Sequence, residues 1–174
     1  QIRLYIHFMV PSDFIKRFSM QPHPEGGYYS STYQASLLIP QHSLPDSFQA
    51  SRPVSSAIYY LLEQGDFSSF HRIASDECWH FYSGDPLWIH VLAPDGSYTR
   101  TTLGSKEDMT FQHIVLAGSW FASEPAPGST FSFVGCTVSP GFHFDEFELA
   151  TTNFLVSQFP DQASLIARLC RSPL

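Results

Sequence analysis

The feature that most constrains this chain is a series of short alternating segments, each closed by a turn, from Tyr28 to Ser139. The runs VSSAIYYLL (54–62), FSSFHRI (67–73), ECWHFY (77–82), PLWIHVL (86–92), SYTRTTL (97–103), FQHIVL (111–116), SWFAS (119–123) and TFSFVGCTVS (130–139) are rich in β-branched and aromatic residues. Such runs, bounded by Gly, Pro, Asp and Ser, read as strands. Residues two apart on a strand share a face. Phe67, Ser69, His71 and Ile73 are therefore expected on one side, and Glu77, Trp79 and Phe81 on one side of the next strand. Pro94-Asp95-Gly96 predicts a hairpin joining 86–92 to 97–103. Turns recur roughly every 8–12 residues, as in an all-β sandwich or barrel.

Helix is expected only at the two ends. The spacing of Phe14, Ile15 and Phe18 predicts a short helix between Pro11 and Met20, with Ser12 as N-cap. Pro160-Asp161 introduces another, on which Ile166, Leu169 and Cys170 share a stripe. The stretch from Pro140 to Phe159 mixes apolar and acidic residues without a clear period. No linker or repeat divides residues 11–174, which are read as one domain. Residues 1–8 carry only Arg3 ahead of a short, polar-interrupted stretch and make a poor signal peptide. With Met9 offering a natural start, they are read as a non-native leader.

Charge narrows the partners. Charged residues are 14% of the 174, about half the usual share, and the formal net charge is −7. The nine Lys and Arg are scattered, so the basic stripe that binds nucleic acid is missing. An acidic membrane surface is repelled, and no apolar run reaches membrane-spanning length. Cys78, Cys136 and Cys170 are odd in number and form no C-x-x-C, which argues against a disulfide framework or a zinc knuckle. They are read as small buried apolar groups in a reducing, cytoplasmic setting.

Residues 65–84 read GDFSSFHRIASDECWHFYSG, with five residues between Gly65 and His71, five between His71 and Glu77, and six between Glu77 and Gly84. This resembles the first cupin signature, except that Ile73 stands where its second histidine would be. LAGSWF (116–121) resembles the second signature at Gly118, with Leu116 in place of the proline and Phe121 in place of the histidine. HPEGGYYSSTYQAS (23–36), SSAIYYLL (55–62), SDECWHFYSGDPL (75–87), GSWFAS (118–123) and GCTVSPGFHFDEFELA (135–150) together resemble one cupin family, domain of unknown function 985. The resemblance implies an all-β double-stranded β-helix (jelly-roll barrel), often dimeric, whose best-studied members have epimerase-like or storage-like folds. It also implies that His71 and Glu77 point into the barrel.

A carboxylate is rarely buried without a partner, and Arg52 or Arg72 is the expected partner of Glu77. In a small barrel the core and the pocket lining coincide, so Tyr59, Trp79, Phe81, Trp120, Phe121 and Phe133 are expected to bind the ligand. His80 falls on the face opposite Glu77. His90 and His113 read as structural or exposed, and His143 as part of a solvated acidic stretch. His23 and Glu25 read as turn chemistry beside two glycines. A catalytic metal wants about three protein ligands. With Ile73 and Phe121 unable to coordinate, no resident cofactor is expected, and at most a weak, exchangeable divalent ion at His71 and Glu77. The resulting expectation is a small polar, carbohydrate-like ligand and metal-independent acid/base epimerase or isomerase chemistry by His71 and Glu77. The alternatives are a metal-dependent oxygenase or hydrolase and a non-catalytic or storage-like binder. A homodimer is expected because Trp88, Val134 and Val138 read as apolar outer positions in need of cover.

Overall fold

The computed structural model describes residues 9–171; the leader expected at 1–8 lies outside the described residues. In chain order the strands are β1 (Gln21–Pro22), β2 (Tyr28–Gln34), β3 (Leu38–Ile39), β4 (Arg52–Pro53), β5 (Ser56–Glu63), β6 (Ser68–Arg72) and β7 (Asp76–Gly84). They continue with β8 (Leu87–Leu92), β9 (Tyr98–Leu103), β10 (Gln112–Val115), β11 (Trp120–Pro125), β12 (Phe131–Ser139) and β13 (Glu148–Leu149). The helices are α1 (Pro11–Arg17), α2 (Thr152–Gln158) and α3 (Ala163–Leu169). One sheet has the order β1-β2-β5-β12-β7-β10 and the other β13-β6-β11-β8-β9, with β3-β4 as a small ribbon. Strand neighbours run antiparallel, and the hairpin expected at Pro94-Asp95-Gly96 joins β8 to β9. The two inner faces share one apolar cluster, with Tyr60, Trp79, Val134 and Cys136 from the first sheet and Ile89, Val91 and Phe121 from the second. This is a jelly-roll arrangement of two packed sheets.

The chain ends cover the outer faces. Phe14 of α1 stacks 4.3 Å from Phe133 and packs with Met20 and Leu61 on the back of the first sheet. Leu155, Ile166 and Leu169 cover Phe70, Leu92, Trp120 and Ala122 on the back of the second. Pro11 opens α1, where its missing N–H costs nothing, and the Asp13 carboxylate accepts from Val10 N–H at 3.0 Å. Val10 therefore takes the cap position expected of Ser12. Helix α2 was not anticipated, because only Leu155 of its seven residues is fully buried and so short a stripe shows no period.

Two corrections concern which way side chains face. Val134 and Val138 sit in the inner cluster rather than outside. β12 pairs with β5 without a break, which sets Val134, Cys136 and Val138 on one face, and the extra residue of the bulge opposite Phe133 and Val134 is Tyr82 of β7. Trp88 does face outward, under the Arg100 guanidinium at 4.2 Å. In β6 a further bulge separates the pairs Phe121↔His71 and Ser123↔Ser68. Ser68 consequently faces inward toward Glu25. Ser69 turns to the α3 side, where its hydroxyl donates to Leu169 O. Ser69 and His71 therefore do not share a face. Among the described residues no helix is long and apolar enough to cross a membrane.

Candidate functional site

A cavity of about 160 Å³ opens between the sheets. His71 reaches it from β6 and Glu77 from the start of β7, where Glu77 pairs with Val115 and Val138. The turn between β1 and β2 adds His23 and Glu25, and Ser31, Gln34 and Ser56 of β2 and β5 add neutral polar groups. Tyr29, Tyr33, Ile58, Phe142 and Phe144 supply apolar wall.

The turn folds tightly: His23 N–H donates to Gly27 O at 2.9 Å and Gly26 N–H to His23 O at 3.0 Å. Gly26 and Gly27 have φ of +118° and +69°. A Cβ at either would lie 2.0 Å from Phe67 O or 2.6 Å from Leu61 O. Only glycine meets both demands. The close approach drives Glu25 inward, 6% exposed. Ser68 Oγ donates to Glu25 Oε1 at 2.9 Å, and Glu25 Oε2 lies 3.2 Å from His71 Nε2. His23 Nδ1 accepts from Glu25 N–H at 3.3 Å. His71 Nδ1 lies 2.7 Å from Ser69 O and donates to it, which leaves Nε2 facing Glu25. Phe121, 4.0 Å away, and Phe147, at 5.3 Å, clamp the imidazole.

Burial sets the protonation. It pushes Glu77 from the ordinary 4.5 up to about 8, with help from the Glu25 charge and against a hydrogen bond with Cys136. Burial lowers His71 from 6.5 to about 4, against its bond to Ser69. Burial likewise raises Glu25, opposed first by His23, and lowers His23. These directions agree with one proton held between Glu25 Oε2 and His71 Nε2, resting on the carboxyl. Among the described residues, no lysine or arginine lines the cavity.

Neither expected arginine reaches Glu77. Arg52 pairs with Glu146, Nε to Oε2 at 2.9 Å, and lies 3.6 Å from Asp145. Arg72 Nε donates to Glu148 at 2.7 Å, and its guanidinium lies over Trp120 at 4.6 Å. Arg72 falls between the inward His71 and Ile73, so strand alternation turns it out.

None of the six aromatics expected to bind the ligand lines the cavity; three pack in the core between the sheets and three face outward. Trp79 and Phe121 are interior, 6.3 Å apart, and Phe81 packs against the same cluster. Among the described residues, the buried Trp79 Nε1 has no hydrogen-bond partner. Tyr59, Phe133 and Trp120 point away from the cavity. Tyr59 lies 4.6 Å from Phe18 and Phe133 lies against Phe14, both on the α1 side. Trp120 lies 6.1 Å from Phe154 of α2. Each is next to an inward residue (Tyr60, Val134 and Phe121), so alternation sends it outward. His80 faces out toward Thr137 and Gln112. His90 is buried behind the second sheet between Tyr98 at 2.9 Å and Glu124 at 3.1 Å. His143 is exposed beside Asp145, at 3.0 Å. The reading of His23 and Glu25 as turn chemistry alone is overturned: both reach the cavity. The signal was the doubled glycine after Glu25, which marks a close backbone approach.

The donor set does not fit a cupin metal centre of three histidines and a glutamate. Ile73 and Phe121 fill two ligand positions with buried carbon. Both nitrogens of His71 are engaged, by Ser69 O and Glu25. Among the described residues no three His, Cys, Asp or Glu side chains converge as metal ligands.

Two packed antiparallel sheets with an inward His and Glu on the β6–β7 signature define a cupin. The family model described as Cupin superfamily (DUF985) matches residues 12–150, and the chain belongs to that family. A solved protein from Shewanella oneidensis is 35% identical, with a TM-score of 0.84 over 95% of this chain and 100% of that one. A hypothetical protein from Leishmania major is 30% identical, with a TM-score of 0.85 over 94% and 100%. Oxalate decarboxylase from Bacillus subtilis, at 13% identity and a TM-score of 0.53 over 87% of this chain and 37% of its own, shares the fold alone. No curated protein matches.

Proposed function

We propose that this cupin binds a small, uncharged, carbohydrate-like molecule and moves a proton at carbon next to a carbonyl, an epimerisation or isomerisation that needs no metal. The observation that carries the reading is the cavity's charge pattern. Two carboxyls of raised proton affinity and a neutral His71 share it, and among the described residues no lysine or arginine does. A buried carboxylate or phosphate ligand would meet no counter-charge there. A polyol would find donors and acceptors in Ser31, Gln34 and Ser56, and aromatic walls for its C–H faces.

The His71–Glu25 pair takes the proton from carbon, and Glu77 gives its own to the carbonyl oxygen. The result is a neutral enediol facing an imidazolium and a carboxylate. The pair then returns its proton to the other face, or to the neighbouring carbon, and Glu77 recovers its own from the hydroxyl. A carboxyl near pH 8 is still protonated at neutral pH, as a general acid must be. The test is NMR of neutral aldoses and ketoses with the protein in deuterated water. Solvent deuterium should enter at the carbon next to the carbonyl, and Glu77→Gln and His71→Ala should slow entry by about 10²-fold or more. Unchanged rates in both variants, or no exchange into any neutral sugar that binds, would refute the reading.

A further inference from the structure

The turn carrying Glu25 is held from the far end of the chain. Arg171, beyond α3 and beyond the 12–150 stretch that carries the family match, lies over the outside of this turn. Its Nε donates to Glu25 O at 3.1 Å. Its Nη2 donates to Phe67 O at 3.1 Å and pairs with Asp66 Oδ1. Asp66 Oδ2 in turn accepts from Gly27 N–H at 2.8 Å, so one carboxylate links the guanidinium to the doubled glycine. The backbone N–H of Arg171 donates to Ser69 Oγ at 3.0 Å, and Ser69 N–H donates to Glu25 O at 2.8 Å. The guanidinium also lies 4.5 Å from the Phe67 ring centroid.

An exposed ion pair by itself contributes little. This arrangement differs because the planar fork satisfies three oxygens in fixed directions, two of them backbone carbonyls in different segments. A Cβ at Gly26 would lie 2.4 Å from Arg171 Nη2, so the guanidinium lies against the bare Cα of the turn. The turn, β6 and the C-terminal segment thus meet on the Glu25 carbonyl, one residue's length from the carboxyl that faces His71.

We propose that Arg171, with Asp66, is a positioning residue that holds Glu25 Oε2 against His71 Nε2. The functional part of this inference rests on the reading of that pair as the proton-transfer group; the geometric part does not. Without the fork, the turn keeps its glycines and the Ser69 N–H on the Glu25 carbonyl, but loses the group that ties that carbonyl to Asp66 and Phe67, and the carboxyl can leave the imidazole.

The test is the ¹⁵N shift of His71 Nε2 at neutral pH in the full chain. Glu25→Ala defines the value for an imidazole without its partner. Arg171→Ala is expected to move Nε2 in the same direction. Asp66→Asn, which weakens the same link while leaving Arg171 in place, should do so too. Arg171→Ala in the Glu25→Ala background should add nothing, since the two act on one contact. A folded Arg171→Ala and a folded Asp66→Asn that both keep the wild-type Nε2 shift would overturn the proposal, as would an additive double variant. This readout needs no substrate. Failed deuterium exchange with shifted Nε2 would sink the proposed chemistry and leave the clamp standing; the reverse would sink only the clamp.

Discussion

Replacing Glu77 with glutamine should change how stability depends on pH, in a direction the two buried groups dictate. Between pH 4.5 and about 8 the folded protein keeps the Glu77 proton that the unfolded chain has released. Stability therefore falls as pH rises, by about 1.4 kcal/mol per unit and roughly 5 kcal/mol across the window. His71 acts oppositely. Between about 4 and 6.5 the unfolded chain binds a proton that the folded imidazole refuses. Stability rises with pH there, by about 3 kcal/mol in all. From 4.5 to 6.5 the two slopes oppose and nearly cancel, so the pair leaves the wild type almost flat there and declining above 6.5. Glu77→Gln removes the falling limb and exposes the rise due to His71. The gap between variant and wild type should widen in the variant's favour by roughly 5 kcal/mol from pH 4.5 to 8. Titrating groups that do not interact with Glu77 act in both proteins and drop out of the difference; Glu25, which does, adds a smaller term. Urea unfolding followed by circular dichroism at half-unit pH steps measures it. Parallel profiles, with a gap constant to within about 1 kcal/mol, would refute the burial of a protonated Glu77.

Gly27→Ala should cost about 1–3 kcal/mol, because it sets a side chain at φ +69° and 2.6 Å from Leu61 O; an unchanged urea midpoint would contradict the close approach. Dialysis against a chelator should leave the thermal midpoint unmoved and the protein with less than stoichiometric metal. Zinc, iron, nickel or manganese retained in stoichiometric amount on His71 and Glu77 would reverse the assignment of the donor set.

Much of the sheet architecture was legible because its strands alternate and end at Gly, Pro and Asp turns, from β5 through β12. Less legible was facing, wherever an extra residue enters a strand. The bulge in β6 turns Ser69 away from His71, whereas Val134 and Val138 lie on the inner face of a regularly alternating β12, whose bulged partner is β7 at Tyr82. Spacing rules assume an unbroken period of two and cannot register one inserted residue. The spacing of the signature placed His71 and Glu77 in one cavity. It was silent on Glu25, because that residue arrives from a turn 46 positions before His71 through tertiary contact. The arginines were misassigned for a related reason. Arg52 is near Glu77 in neither sheet order nor facing, and its acidic partner Glu146 ends a single 3-10 turn, Phe144–Glu146, that shows no period in the sequence.

The carbon at positions 73 and 121 makes a three-histidine metal centre hard to build in this barrel by single substitutions. Ile73→His alone would forfeit apolar packing and supply one nitrogen beside an imidazole whose Nε2 already faces Glu25. Phe121→His would add another, while removing the ring that clamps His71. Neither intermediate gathers enough donors to hold an ion, and both bury a new polar group without a partner. Regaining a three-histidine centre would further require Glu25 to withdraw, against Ser68, the doubled glycine and the Arg171 fork. A three-histidine centre is thus separated from the present sequence by less stable intermediates, and packing opposes each single step toward it before any selection on activity applies.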